Sequence, residues 1–330
     1  MREFGYQRAR DVAGAVALLG TAPDARLLGG GTNLVDLMKA GVERPGLLVD
    51  VRDLPLDEIR ATEDGGLRIG ATVSNSDLAA HPAVRRHYPA LAQALLAGAS
   101  GQLRNMATVA GNLLQRTRCG YFADLAKPCN KRAPGTGCPA VAGDHRNHAI
   151  LGASAHCVAT HPSDMAVALA AFDAVVTYET ADGPGELPLD AFYLPVGDTP
   201  HIETALPAGA VITGVTLPPV PAAAHSRYRK VRERASYAFA IGSVAAALDV
   251  RDGVVRDVRL AFGAVASRPW RARAAERALV GGPADADAFA AAADAELAAA
   301  EPLPENRYKV TLTRNLVVAE LARLAEETTR

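Results

Sequence analysis

From Arg116 to about Gly152 the chain loses every hydrophobic period, and Gly, Pro, Lys, Arg and Asn dominate. A structureless stretch of that length inside a compact domain is uncommon, and is either functional or disordered. Regular structure has to be sought on either side of it. All four cysteines of the chain lie in or just beyond this stretch. Cys119, Cys129 and Cys138 fall within "CGYFADLAKPCNKRAPGTGC", and Cys157 follows in "SAHCVATHPSD". His145, His148, His156 and His161 lie in or near it.

On the N-terminal side, "DVAGAVALLG" has helical spacing and stops at Gly20, while "ARLLGGG" and "GLLVDV" read as strands. "GLRIGATVSNSDLAAH" is expected to be strand, turn and helix start, with Ser74 or Asn75 as cap. "ALAQALLAGASGQLRNMATVAGNLL" begins as a helix and passes into a Gly- and Asn-rich segment. Beyond the insertion, "SDMAVALAAFDAVVTYET" predicts a helix capped by Ser163 or Asp164, then a strand. The Pro-rich "TLPPVPAAAH", residues 216 to 225, reads as a linker, which places a domain boundary near residue 222. After it, "SYAFAIGSVAAALDV" and "VVRDVRLAFGAVA" look like antiparallel strands. "RPWRARAAERALVGG" is expected to be a helix with Pro269 near its first turn and Gly281 as its stop, and two more helices end the chain.

A chain of 330 residues is long enough for two well-buried cores, and 49% hydrophobic with 22% charged residues is ordinary for a globular protein. A formal net charge of −1 argues against nucleic acid as a partner, and no run is apolar enough to cross a membrane as a helix. "MREFGYQRARDVAGAVALLG" has no continuous apolar segment and is not expected to be a secretory signal. The default address is cytoplasmic, unless a partner carries the subunit out.

Four readings compete for the cysteines. Inert buried cysteines would not cluster in this way. Two disulfides fit the count, with three possible connectivities, but only in an oxidising compartment. Zinc accepts four thiolates, yet the spacing Cys-x9-Cys-x8-Cys-x18-Cys contains no Cys-x-x-Cys knuckle. A 4Fe-4S cluster also takes four thiolates and tolerates wide spacing. Spacing leaves zinc and iron–sulfur open. Arg116, Arg118, Lys127, Lys131, Arg132 and Arg146 in the same stretch are expected to be solvated.

"LLGGGTNLV", residues 27 to 35, places Gly29, Gly30 and Gly31 directly after a strand. Glycines let the backbone approach an anion closely, and Thr32 and Asn33 add side-chain donors. The spacing fits neither standard phosphate fingerprint: Thr32-Asn33 stands where a Walker loop has Lys-Ser/Thr, and Leu34 where a Rossmann turn has glycine. By itself the loop is equally a tight strand-to-helix turn. A second segment, "GASGQLRNMATVAGNLL", mixes Ser100, Gly101, Asn105, Thr108, Gly111 and Asn112 with apolar residues, which suits contacts to a large polar cofactor.

"ARLLGGGTNLVDLMKAGVERPGLLVDV", "IGATVSNSDLAAHP" and "YPALAQALLAGASGQLRNMATVAGNLL", in this order, resemble the FAD-binding medium subunit of the molybdenum hydroxylases, the xanthine dehydrogenase family. The resemblance continues through "HPSDMAVALAAFDAVV" and "FGAVASRPWRARAAERALVG" and so covers nearly the whole chain. It implies an α+β fold: a two-lobed FAD-binding domain of the vanillyl-alcohol-oxidase type over 1–222, with lobes of about 1–55 and 56–222. A smaller α+β C-terminal domain of the CO dehydrogenase flavoprotein type would follow over 223–330.

By the same resemblance Leu27, Leu28, Gly29, Gly30, Gly31, Thr32, Asn33 and Leu34 would wrap the FAD pyrophosphate. Ala107, Thr108, Gly111, Asn112 and Leu114 would form a second wall. Asp164 matches an acidic residue near the ribose, with Ser163 beside it; Lys230 matches a lysine of the flavin region, and Ile212 would line the pocket. No catalytic side chain is expected, because substrate chemistry in this family belongs to a large molybdopterin-binding subunit. A small subunit with two 2Fe-2S clusters completes the assembly. Residues 116–160 form an insertion that looks closest to the periplasmic aldehyde oxidoreductase type, which implies a 4Fe-4S cluster on Cys119, Cys129, Cys138 and Cys157. Export would then follow a twin-arginine signal on a partner, and an acceptor other than NAD is expected. Purine or aromatic acyl-CoA substrates are the alternatives within this architecture, and a scaffold that has lost FAD is the alternative outside it.

Overall fold

A computed structural model describes residues 1–328 of the chain. Three sheets organise it. The first is small and parallel: β1 (Gly5–Arg8), β2 (Arg26–Leu28) and β3 (Leu47–Asp50) lie in the order β1-β3-β2. Helices Val12–Leu19 and Leu34–Lys39 connect them, since parallel neighbours need a crossover. Asp11 caps the first helix by accepting from the Gly14 amide at 2.6 Å, and Gly20 ends it. The sequence carries no signal for β1, because all four of its residues are exposed and no apolar alternation marks it.

The second sheet is antiparallel, in the order β4-β5-β8-β6-β7. Its strands are β4 (Ile59–Ala61), β5 (Leu67–Gly70), β6 (Val175–Thr180), β7 (Gly183–Pro188) and β8 (Val211–Leu217). The long excursion between β5 and β6 carries the second glycine-rich segment, the cysteine stretch and helix Asp164–Ala171. Ser163 caps that helix, its hydroxyl accepting from the Ala166 amide at 2.9 Å.

The third sheet, also antiparallel, runs β12-β11-β10-β9, from β9 (Ser226–Val231), β10 (Gly242–Arg251), β11 (Val254–Gly263) and β12 (Trp270–Arg271). Strand β10 buries both faces. Val244, Ala246 and Leu248 face a core built with helices Arg273–Leu279, Ala286–Leu297 and Tyr308–Thr328. Ala245 and Ala247 point the other way, into the large core that contains Leu91, Met165, Val167 and Phe172. The small side chains on that face let the sheet lie close against helices Pro89–Ala97 and Asp164–Ala171.

Two expectations change here. Residues 216 to 225 are not a loose linker: Thr216 and Leu217 end β8, and Ala222 and Ala223 are buried in the large core. Burial of both ends removes the freedom that the prolines alone would leave. The helix expected from Pro269 starts only at Arg273, because Trp270 and Arg271 first pair with Phe262 and Ala261 as β12.

The cysteine stretch is ordered by packing rather than by secondary structure. It holds one short helix, Gly120–Ala123, and a 3-10 turn, Pro139–Val141. Phe122, Ala140, Ile150 and Leu151 are buried, the last two within the core of the third sheet. The amides of Ile150 and Leu151 both donate to Val265 O, at 2.8 and 3.0 Å. Arg132 donates to the Tyr121 and Phe122 carbonyls at 3.1 and 2.6 Å. The expectation of a solvated basic loop fails at Arg132 and at two further positions. Arg116 pairs with Glu43 at 2.6 Å and with Glu203 at 2.7 Å. Lys131 is buried and donates to Pro200 O at 2.9 Å.

Candidate functional site

The glycine loop meets the second glycine-rich segment edge to edge. A Cβ on Gly30 would stand 1.7 Å from the Met106 carbonyl oxygen, and one on Gly29 would stand 2.8 Å from Thr108 Oγ1. At Gly30, which meets main chain, only glycine allows that approach. Gly31 turns the chain with φ +72° into helix Leu34–Lys39. Thr108 caps helix Val109–Leu113 by accepting from the Gly111 amide at 3.2 Å. The Asn75 amide donates to Ala107 O at 2.8 Å, and the Val109 and Ala110 amides bond to Val73 O and Ala71 O, both at 3.0 Å. This second wall is thereby stitched to the segment that leaves β5.

Two cavities flank the junction and share Thr32, Asn33 and Gly111. One, of about 380 Å³, has Leu27, Gly29, Gly30 and Gly31 along one side and an apolar floor that includes Leu54, Leu56, Val211 and Ile212. The other, of about 270 Å³, is lined by Asn75, Ala107, Asn112, Asp164 and Lys230, with Tyr237 and Phe239 among its further walls. Three buried polar atoms on these walls have no partner: Asn33 Nδ2, Thr72 Oγ1 and Asn75 Oδ1. Leaving such an atom unsatisfied costs about 1–3 kcal/mol, so the walls call for a polar guest. A polar, glycine-lined waist between two pockets matches a dinucleotide with its pyrophosphate in the middle and a ring system at each end. The residues present fit FAD.

Asp164 and Lys230 form a nearly sealed ion pair at 2.7 Å. Tyr228 donates to the other carboxylate oxygen at 2.5 Å, and Lys230 also donates to Ala97 O at 3.2 Å. Burial, then the carboxylate beside it, holds the Tyr228 hydroxyl well above its ordinary pKa, so it remains a donor.

The four cysteines converge beside this cleft. Cys119 packs against Leu37, Phe122 and Cys129 on one side and against Cys157, Ala159 and Val196 on the other. A hydrogen bond between Cys138 and Cys157 pulls the Cys138 thiol down and, with burial, pushes Cys157 up. Burial also raises Cys119. All four are free thiols, so the disulfide reading of the stretch is not the one the structure shows. Among the described residues no three His, Cys, Asp or Glu side chains stand close enough to hold one metal ion. Thiolates on a tetrahedral zinc would lie about 3.8 Å apart. Cys119 neighbours the clusters around Cys129 and Cys157, and Cys157 is hydrogen-bonded to Cys138, so the four thiols form one linked set. His148 Nε2 lies 3.2 Å from Cys119 Sγ.

Arg118 joins the two regions. It lines the cavity that holds Asp164 and Lys230, with its guanidinium 4.9 Å over the Phe239 ring. It also lines a third cavity, of about 520 Å³, together with Cys119, His148 and Phe239.

Of the residues expected at the cofactor, Leu27, Gly29, Gly30, Gly31, Thr32, Asn33, Leu34, Ala107, Thr108, Gly111, Asn112, Leu114, Asp164, Ile212 and Lys230 line one of the two cavities. Leu28 and Ser163 line neither. Ser163 is buried with its hydroxyl donating to Asn112 Oδ1 at 2.6 Å, which positions a wall residue instead. Sequence reasoning passed over Thr72, Asn75, Arg118, Tyr228, Tyr237 and Phe239. Asn75 carried a signal, a polar residue after a strand, but it was absorbed into the helix cap that Ser74 in fact supplies. Arg118 carried none.

Two family models match the chain. Residues 2–220 match the family described as the FAD binding domain in molybdopterin dehydrogenase, and residues 226–327 match the CO dehydrogenase flavoprotein C-terminal domain. The chain is 52% identical over 323 residues to the aldehyde oxidoreductase FAD-binding subunit PaoB of Escherichia coli K12, covering 98% of each. Among solved structures it resembles a chain of the carbon monoxide dehydrogenase of Hydrogenophaga pseudoflava, with a TM-score of 0.75 and 27% identity over 97% of this chain and 96% of that one. Quinoline 2-oxidoreductase of Pseudomonas putida 86 shares the fold, with a TM-score of 0.77 at 23% identity over 100% of this chain and 99% of that one.

Proposed function

The chain belongs to the FAD-binding medium subunits of the heteromeric molybdenum oxidoreductases, and from that premise we propose that it is the electron-transfer flavoprotein subunit of an aldehyde oxidoreductase. Its partners are a large subunit that binds molybdopterin and a small subunit with two 2Fe-2S clusters. Bound FAD supplies electron exchange between those carriers and an external acceptor other than NAD. The chain's own residues bind and orient the cofactor. The glycine loop and the Thr108 segment close on the pyrophosphate, while Asp164 and Lys230 set a fixed charge pair beside one ring pocket. No side chain here is asked to move a substrate proton.

Cys119, Cys129, Cys138 and Cys157 hold a 4Fe-4S cluster in this proposal. The observation that carries it is the adjacency made by Arg118 and Cys119: neighbours in the chain, one lines the flavin-side cavity while the other stands among the four thiols. A redox centre in that place lies next to the flavin, whereas a zinc ion there would do no electron transfer. Anaerobic purification with metal and flavin analysis tests it. A brown protein with about four iron atoms and one FAD per chain is expected. Stoichiometric zinc without iron ends the cluster assignment, and absence of a flavin band ends the flavoprotein assignment. Aldehyde oxidation by the assembled complex, against purine and aromatic acyl-CoA substrates, tests the substrate class.

A further inference from the structure

His148 contacts one of the four thiols, and its backbone is held by residues distant in the chain. Its carbonyl oxygen accepts from Lys309 Nζ at 3.0 Å and from Asn306 Nδ2 at 3.3 Å, both on the C-terminal domain. Lys309 also donates to Asn147 O at 2.9 Å and to Ala264 O at 2.8 Å, and is itself fully buried. The backbone that carries the imidazole is therefore anchored to elements outside the cysteine stretch. The ring reaches Cys119 Sγ with Nε2 at 3.2 Å, while Nδ1 is buried and has no partner.

We propose that His148 donates an Nε2–H hydrogen bond to the Cys119 sulfur and so raises the reduction potential of the iron–sulfur cluster that the four cysteines hold. This role rests on the cluster reading above. The tautomer follows from the chemistry of the pair. A thiolate bound to iron has no proton to give, so the hydrogen between the two atoms has to come from Nε2. That leaves Nδ1 as the bare ring nitrogen, which is the atom with nothing to donate to. A donor aimed at a ligand sulfur withdraws electron density and stabilises the reduced, more negative cluster, which is how hydrogen bonds to sulfur set these potentials. His148 is thus a positioning and tuning residue with no part in substrate chemistry.

The test is an EPR-monitored reductive titration of the anaerobically purified full chain, comparing wild type with His148→Leu and His148→Gln. The Leu variant is expected to keep its iron and FAD content and to show a cluster potential shifted in the negative direction, with the flavin potential unmoved. Gln, which can offer an amide N–H, is expected to recover part of the shift. An unmoved cluster potential in an iron-loaded Leu variant overturns the proposal and leaves the cluster standing. Wild-type protein without iron overturns the cluster itself, and this role with it. If the Leu variant fails to load iron, pulsed EPR of wild type labelled with [15N]histidine decides. A nitrogen coupling to the reduced cluster that vanishes in the Gln variant supports the hydrogen bond, and its absence in wild type overturns it.

Discussion

Lys230 Nζ lies 2.7 Å from Asp164 Oδ2, and the two side chains are only 3% and 9% exposed. Removing one member of such a pair strands a buried charge, at a cost of about 3–5 kcal/mol. Asp164→Asn and Lys230→Met should each lower the unfolding free energy by roughly that amount and reduce the flavin bound after purification. The double variant should lose less than the sum of the two, because neither charge is then left alone. Urea denaturation with flavin absorbance reads both effects. Strict additivity would mean that the pair is not coupled.

Gly30 has no room for a methyl group. The Met106 carbonyl that would meet it is main chain, fixed by the wall that Thr108 and Asn75 support, and cannot swing aside. Gly30→Ala should therefore abolish the flavin absorbance band and destabilise the chain by about 1–3 kcal/mol or more. Gly29→Ala meets only the Thr108 side chain, which can rotate, and should retain part of the flavin. Equal flavin content in both variants would refute the close approach.

Burial lowers the Lys309 ammonium from 10.5 to about 7. The unfolded chain keeps that proton up to about pH 10, so between pH 7 and pH 10 it binds more protons than the folded chain at this site. Stability contributed by Lys309 should thus rise with pH across that window and be flat below it. Measured as the difference between wild type and Lys309→Met, the rise should be on the order of 4 kcal/mol, from about 1.4 kcal/mol per unit. Guanidinium titrations at several pH values give the slope. A difference that falls with pH would reverse the sign of the argument.

The hydrogen bond from Cys157 makes Cys138 the most acidic of the linked thiols, while burial raises Cys119. In iron-free protein near neutral pH, iodoacetamide should modify Cys138 before Cys119 and Cys157, because the thiolate is the reactive form. Cys157→Ala removes that donor and should slow the reaction at Cys138 about tenfold. Peptide mass mapping over time follows the order. Cys119 reacting first would contradict it.

Much of the cleft was legible in the sequence. Gly29 to Gly31 after an apolar strand, Thr108 ahead of a small-residue helix, and Ser163 at the head of "DMAVALAA" are local signals: a steric need for glycine, or an oxygen placed to accept a first-turn amide. Strand β1 was illegible because its residues are all exposed, and the helix expected at Pro269 was displaced because Trp270 and Arg271 found strand partners. Arg116 and Lys131 looked like solvated charges, since their partners Glu43, Glu203 and Pro200 lie far away in the chain.

The sequence by itself determined which segments bend, cap and alternate, and that all four cysteines lie between residues 119 and 157. It determined the two glycine-rich walls for the same reason, since backbone sterics and hydrophobic period act over a few residues. Only the tertiary structure decided that Gly30 faces Met106, that Cys119 stands beside the clusters around Cys129 and Cys157, and that Lys309 anchors the backbone of His148. Those meetings follow from burial across the whole chain. Strand β10 has to cover both faces at once, and the elements that cover it bring distant residues together.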